Sequence, residues 1–97
     1  MSSFLIVHTT VKDPEKFKSY ASAAGATFAP FGGEFLVKGK QVKTLAGEHS
    51  AQAAVVVKFP NLTAIDDWYH SADYQALIPN RDAAADMVFI CYEDLPA

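Results

Sequence analysis

The sequence is short of the residues that disulfides, metal centres and nucleotide sites require. Its 97 residues include one cysteine, Cys91, which excludes an internal disulfide and a zinc site built on cysteines. The three histidines and the acidic residues do not fall at metal-ligand spacing. The sequence has no phosphate-binding loop, dinucleotide fingerprint or nucleophile elbow. We therefore predict no metal and no tightly bound cofactor.

Positive charge is also scarce. Eight basic residues stand against eleven acidic ones, which gives a formal net charge of −3, and the densest group of three is Lys38, Lys40 and Lys43. Because nucleic-acid binding depends on clustered lysine and arginine, this composition argues against a nucleic-acid partner. No apolar run approaches the roughly 18 residues that a membrane helix needs, and no leader-like segment is recognisable. We expect a soluble, cytoplasmic protein with no membrane partner.

The residues that are present predict one small α+β domain over residues 1–97. Asp13 before a proline, and Asn61 before an apolar stripe, are typical helix starts. The second helix is predicted to be broken in two near Ser71 and to stop near Pro79. The resulting order is β-α-β-β-α-β, the ferredoxin-like arrangement with a four-stranded antiparallel sheet. Apolar and β-branched runs predict its strands over residues 3–11, 34–38, 53–59 and 87–92.

Both faces of the predicted sheet are apolar. Residues 55–57 read Val-Val-Val and residues 88–90 read Val-Phe-Ile. Helices cover only one face in this arrangement, and an open second face should show hydrophobic-polar alternation. No remaining segment is long enough to cover that face, so we predict a homodimer that packs sheet against sheet. The pattern leaves open whether Val55 and Val57 or Val56 faces the partner.

Several segments resemble one protein family. They are D-P-E-K-F-K-S-Y, F-G-G-E-F-L-V-K-G, V-V-V-K-F-P-N-L-T-A and W-Y-H-S-A-D-Y-Q-A-L with Arg81 after it. In order and spacing they resemble the family named domain of unknown function 1330, over nearly the whole chain. The resemblance implies a dimeric α/β barrel and no established reaction. The wider superfamily includes cofactor-free oxygenases, isomerases and haem-degrading enzymes, which is an analogy of fold and not of function.

Two residues are candidates for catalysis. His8 lies mid-strand, on the face predicted to lie opposite the helices. An imidazole there suits a general base or a haem ligand, and equally a hydrogen-bonded interface histidine. Arg81, the only arginine, follows the aromatic helix and suits a bidentate contact with a substrate carboxylate. The alternative is pairing with Asp82, with Asp86 or with a partner chain. We predict that Arg81 and His8 flank one pocket.

Four aromatic residues are candidates for substrate binding. Their rings suit the wall of an apolar cleft, and three of them carry hydroxyl groups. The alternative is that they pack in the core. The four residues are Tyr20, Trp68, Tyr69 and Tyr74.

Two classes of function remain open. The first is a cofactor-independent enzyme of the oxygenase or isomerase type that acts on a small apolar or aromatic organic acid. The second is a non-catalytic homodimer, either ligand-binding or structural. Haem handling is a distant third, because it rests on the superfamily and on His8 and Trp68 alone. A cavity with convergent polar groups would favour the enzyme, whereas a space filled by large apolar side chains would favour the structural dimer.

Overall fold

The computed structural model describes residues 2–95, and it shows the predicted β-α-β-β-α-β order. All neighbouring strands pair antiparallel, in the spatial order β2-β3-β1-β4. A short 3₁₀ turn, Ala29–Phe31, precedes β2. The strands are β1 (Ser3–Val11), β2 (Glu34–Lys40), β3 (Ala53–Phe59) and β4 (Ala85–Glu93), and the helices are α1 (Pro14–Gly25), α2 (Leu62–Tyr69), α3 (Ala72–Gln75) and α4 (Ile78–Ala84).

Side-chain caps start three of the helices where the sequence predicts them. The Asp13 carboxylate accepts a hydrogen bond from the backbone N–H of Lys16 at 3.2 Å. The Asn61 side chain accepts one from the N–H of Ala64 at 2.8 Å, and Ser71 caps α3 in the same way. Each cap satisfies one of the backbone donors that a helix start leaves without an intrahelical partner.

The second helical stretch is in three pieces and not two. The break near Ser71 is confirmed, but Pro79 does not stop the chain's last helical segment. Pro79 lies in the first turn of α4, where its missing N–H costs nothing because that position has no intrahelical acceptor. The correction matters because α4 carries Arg81.

The two faces of the sheet have different surroundings. On the face under the helices, Val57 is 0% exposed and Leu5 is fully buried. The other face, called the outer face here, includes Val56, which pairs with Ile6 on β1 and Val37 on β2. Val56 therefore faces away from the helices, and Val55 and Val57 face towards them, a choice that the sequence pattern left open. Val37 remains 53% exposed on that outer face.

The core lies between the sheet and the helices, and Trp68 is at its centre. The indole is 0% exposed and stacks on Phe28, with ring centroids 4.7 Å apart and planes 26° apart. The Gly-Gly turn before β2 makes this packing possible. A Cβ on Gly33 would lie 2.9 Å from the Cβ of Phe28 and 3.0 Å from the ring of Phe59, which is closer than side chains tolerate.

None of the helices within residues 2–95 has both the length and the hydrophobicity to cross a bilayer.

Candidate functional site

Four predicted site residues meet in one polar cluster, called the tyrosine–arginine cluster here. Arg81 Nη1 donates to the hydroxyls of Tyr69 and Tyr74, each at 3.2 Å. The Tyr74 hydroxyl also lies 2.8 Å from the hydroxyl of Tyr20. Arg81 Nε donates to Asp82 at 3.2 Å, so the predicted pairing of Arg81 with this carboxylate is present as well. The guanidinium is therefore linked to Tyr20 through one shared phenol.

Four helices bring the cluster together, because each contributes one of its residues. Tyr20 is on α1, Tyr69 ends α2, Tyr74 is on α3 and Arg81 is on α4. In one continuous helix, residues five apart would point about 140° away from each other. The break at Ser71 removes this constraint, since it lets α2 and α3 direct Tyr69 and Tyr74 at the same guanidinium.

Burial fixes the protonation states of the cluster. Desolvation raises the pKa of Tyr20 well above its ordinary value of 10.0, and the hydrogen bond to Tyr74 raises it further. Desolvation also raises the pKa of Tyr74, although the hydrogen bonds from Tyr20 and Arg81 act in the opposite direction. Desolvation by itself would lower the pKa of Arg81, but its hydrogen bonds to Tyr69 and Tyr74 outweigh this, and its pKa is raised. Arg81 therefore keeps its positive charge beside the neutral phenols of Tyr20 and Tyr74.

A cavity of about 220 Å³ lies beside the cluster, between α1 and the sheet. We call it the helix–sheet cavity. Tyr20 belongs both to its wall and to the cluster. Phe89 also lines it, and the Arg81 guanidinium lies 5.1 Å from the centre of that ring. The lining residues are Val7, Thr9, Phe17, Tyr20, Ala21, Ala24, Gly25, Phe28, Phe35, Lys38, Val55, Met87 and Phe89.

The other aromatic candidates lie behind this cavity and not on its wall. Trp68 and Tyr74 are 0% exposed and belong to the packed core. The indole Nε1–H of Trp68 is satisfied by the hydroxyl of Thr27 at 2.8 Å. Tyr69 is half-buried and contacts Arg81, but it does not line the cavity either. Of the four aromatic candidates, Tyr20 alone among the described residues reaches the cavity.

His8 lies on the outer face of the sheet, as predicted from its strand position. Its register partners are Ala54 and Val88, and its ring meets that of His49 edge-on, with centroids 4.6 Å apart. Its Nδ1 atom is buried and has no hydrogen-bond partner within residues 2–95. The sheet separates His8 from the tyrosine–arginine cluster. The prediction that Arg81 and His8 flank one pocket is therefore wrong for a single chain.

Lys38 is the charged residue among the described lining residues of the cavity, and sequence reasoning missed it. Strict alternation along β2 puts Phe35 and Lys38 on opposite faces. A β-bulge between Phe35 and Val37 shifts the register by one, so that Lys38 pairs with Val55 on the helix side. Its ammonium group then lies 4.1 Å above the centre of the Phe35 ring. The three-residue separation of an aromatic ring and a cation does not reveal a bulge, which is why the sequence gives no signal.

Solved structures of similar shape confirm the predicted fold class. A protein of unknown function from Rhodopseudomonas palustris aligns with a TM-score of 0.83 at 16% identity, over 99% of this chain and 84% of that one. The cofactor-independent oxygenase SnoaB from Streptomyces nogalater aligns with a TM-score of 0.71 at 12% identity, over 99% of this chain and 95% of that one. A dimeric ferredoxin-like protein of unknown function from Thermobifida fusca aligns with a TM-score of 0.66 at 17% identity, over 95% and 90% respectively. Identities this low show a shared fold and do not transfer a function.

No curated protein is significantly similar to this chain in sequence. The model of the family Domain of unknown function (DUF1330) matches residues 2–95. The chain belongs to this family, and the resemblance found in its segments is confirmed.

Proposed function

We propose that this DUF1330 member is a homodimer that binds a small, mainly apolar organic acid in the helix–sheet cavity. The observation that carries the proposal is the cavity itself. About 220 Å³ stays open beside a core in which Trp68 and Tyr74 are completely buried. Protein interiors are close-packed, so a space of this size next to a tight core is suited to a ligand.

The cavity walls define the ligand's shape and polarity. Phe17, Phe28 and Phe35 line the cavity with aromatic rings, and Tyr20 lines it as well. An apolar protein cavity of about 150 Å³ is large enough to bind benzene. The helix–sheet cavity therefore suits a single-ring aromatic acid or a short aliphatic acid. It does not suit haem, and His8 lies on the other side of the sheet from it.

Cofactor-independent catalysis in the same cavity is the second candidate function, and one observation favours it. Tyr20 lines the cavity, and Tyr74 connects its hydroxyl to the positive charge of Arg81. Such a donor stabilises negative charge that develops on a substrate oxygen. The fold likeness to SnoaB, described as a cofactor-independent oxygenase, is consistent with this candidate. However, no carboxylate or imidazole lines the cavity among the described residues, so ligand binding is the function that the geometry supports best.

A cavity-filling variant tests ligand binding. Ala24 is buried on the cavity wall, whereas Ala23 next to it on α1 is exposed. A saturating acid at about 100 times its Kd should stabilise the wild type by about 2.7 kcal/mol. We expect a thermal-shift screen with single-ring and short-chain carboxylic acids to show this stabilisation in the wild type and in Ala23→Leu, but not in Ala24→Leu. Equal stabilisation of both variants would place the ligand elsewhere, and the absence of any hit would contradict the proposal.

The apolar outer face supports the homodimer. Val88 is 56% exposed and Val37 is 53% exposed on a sheet face that also carries Ile6, Val56 and Ile90. An exposed patch of this kind is the usual mark of an interaction surface. The Thermobifida fusca protein of the same fold is described as dimeric. Sedimentation at micromolar concentration should give twice the chain mass, and a well-folded monomer would overturn this part of the proposal.

A further inference from the structure

We infer that Lys38 makes the helix–sheet cavity selective for acids, because its ammonium group binds the carboxylate of the ligand at the cavity mouth. The inference rests on the proposed function and names the residue that sets its ligand class. Lys38 is the one charged side chain among the described residues that line the cavity. It is also exposed, whereas the residues deeper in the cavity, Tyr20 and Phe28, are buried. The positive charge therefore lies where the cavity opens to water.

The backbone sets the face of β2 on which Lys38 lies. The bulge between Phe35 and Val37 places Lys38 on the helix side of β2, opposite Val55 of the cavity wall. The extra residue of the bulge, Leu36, remains 48% exposed. Bulges commonly redirect a side chain next to a binding site. β2 thus presents Phe35 and Lys38 together: the ring can contact the apolar part of the ligand, and the ammonium group can bind its carboxylate.

The ammonium group of Lys38 is available for a ligand. Within residues 2–95 the ion pairs are Lys12 with Asp86 and Arg81 with Asp82, so no carboxylate of the described chain neutralises Lys38. Arg81 is less suited to the same task. Its side chain is 14% exposed, it is hydrogen-bonded to two tyrosines and Asp82, and it does not line the cavity. A carboxylate at Lys38 would also keep part of its hydration, which avoids the cost of burying a charge fully.

Matched pairs of ligands that differ only in charge test this inference. Each carboxylic acid found by screening, starting with phenylacetate and hexanoate, is compared with its neutral amide by titration calorimetry. We expect the wild type to bind the acid about two- to fivefold more tightly than the amide, the effect of a solvent-exposed ion pair. Lys38→Met should lose this preference and Lys38→Arg should keep it. The preference should also weaken as ionic strength rises from roughly 0.01 M to 1 M, because the Debye screening length falls from about 30 Å to about 3 Å.

Lys43→Met is the matched control. It removes the same charge from the exposed loop after β2 and leaves the cavity lining unchanged. Acid preference that survives in Lys43→Met and disappears in Lys38→Met supports the inference. Equal binding of acid and amide by the wild type, or an unchanged preference in Lys38→Met, overturns it while the proposed binding in the cavity stands. If no acid and no amide binds, the proposed function fails and this inference fails with it.

Discussion

Substitution of aspartate at two adjacent valines should affect two different properties, folding at Val57 and dimerisation at Val56. Val56 and Val57 are neighbours on β3, but Val57 is 0% exposed under the helices and Val56 lies on the outer face. Val57→Asp loses the burial of a valine side chain, worth roughly 1.5–3 kcal/mol, and places a carboxyl group in an apolar core at a further cost of several kcal/mol. A domain of this length has roughly 5–15 kcal/mol of stability in total. We expect Val57→Asp to fold poorly or not at all.

Val56→Asp should instead fold as a monomer. Its flanking residues Ile6 and Val37 leave it only half-buried in the single chain, so the carboxylate can remain hydrated there. In the proposed dimer, the same carboxylate would be covered by the second sheet without a partner. An unpaired buried charge costs roughly 3–5 kcal/mol, which weakens association at least about 100-fold. Two copies of the substitution meet in each dimer, so this figure is a lower bound.

Sedimentation velocity over a concentration series, with circular dichroism melts on the same samples, separates the two outcomes. Val56→Thr is the control, since it keeps the shape and adds no charge. If Val56→Asp dimerises with wild-type affinity, Val56 does not lie in the dimer interface. If Val56→Asp unfolds as completely as Val57→Asp, the two faces of β3 are equally buried in the single chain, contrary to the prediction.

Three further substitutions test the caps and the tyrosine–arginine cluster. Asp13→Ala should lower the free energy of unfolding by about 1 kcal/mol, a fall of roughly 4–8 °C in Tm, and an unchanged melting curve would show that another group caps α1. Stability should fall as pH rises above 10, because Tyr20 ionises at its ordinary pKa of 10.0 when unfolded but at a raised pKa when folded. The free energy of unfolding should fall by at most about 1.4 kcal/mol per pH unit for each tyrosine. Denaturant titrations at several alkaline pH values should show a smaller fall per pH unit in Tyr20→Phe than in the wild type. An equal fall would mean that Tyr20 ionises freely in the folded protein. Arg81→Met should lower the free energy of unfolding in urea by about 1.5–3 kcal/mol, because the hydroxyls of Tyr69 and Tyr74 lose a charged donor. Full rescue by Arg81→Lys would show that the positive charge alone matters, and not the several N–H donors of the guanidinium.

Local rules predict much of this fold. Strand composition and the caps at Asp13 and Asn61 each act within a few residues, and the structure confirms them. Pro79 shows where a local rule is ambiguous. A proline is compatible with the end of one helix and with the first turn of the next, and only the packing of α4 decides between them.

The sequence predicted the four residues of the tyrosine–arginine cluster, but not how the candidate residues group. Tyr20, Tyr69, Tyr74 and Arg81 do come together. The pairing of Arg81 with His8 was wrong, and the sequence already held the reason. A residue that alternates onto the face opposite the helices is separated by the sheet from one that follows a helix. Sequence patterns propose which residues carry chemistry, but the layers of the fold decide which of them can meet.

Two irregular backbone positions lie close to the candidate site. The break at Ser71 directs Tyr69 and Tyr74 at Arg81, and the bulge in β2 turns Lys38 towards the cavity. A regular helix and a regular strand would each have placed these side chains on other faces. Lys38 lines the helix–sheet cavity, and the cluster that Tyr69 and Tyr74 form with Arg81 reaches the cavity wall through Tyr20. This convergence is the reason to seek the ligand on the helix side of the sheet, at Tyr20 and Lys38, before the outer face around His8.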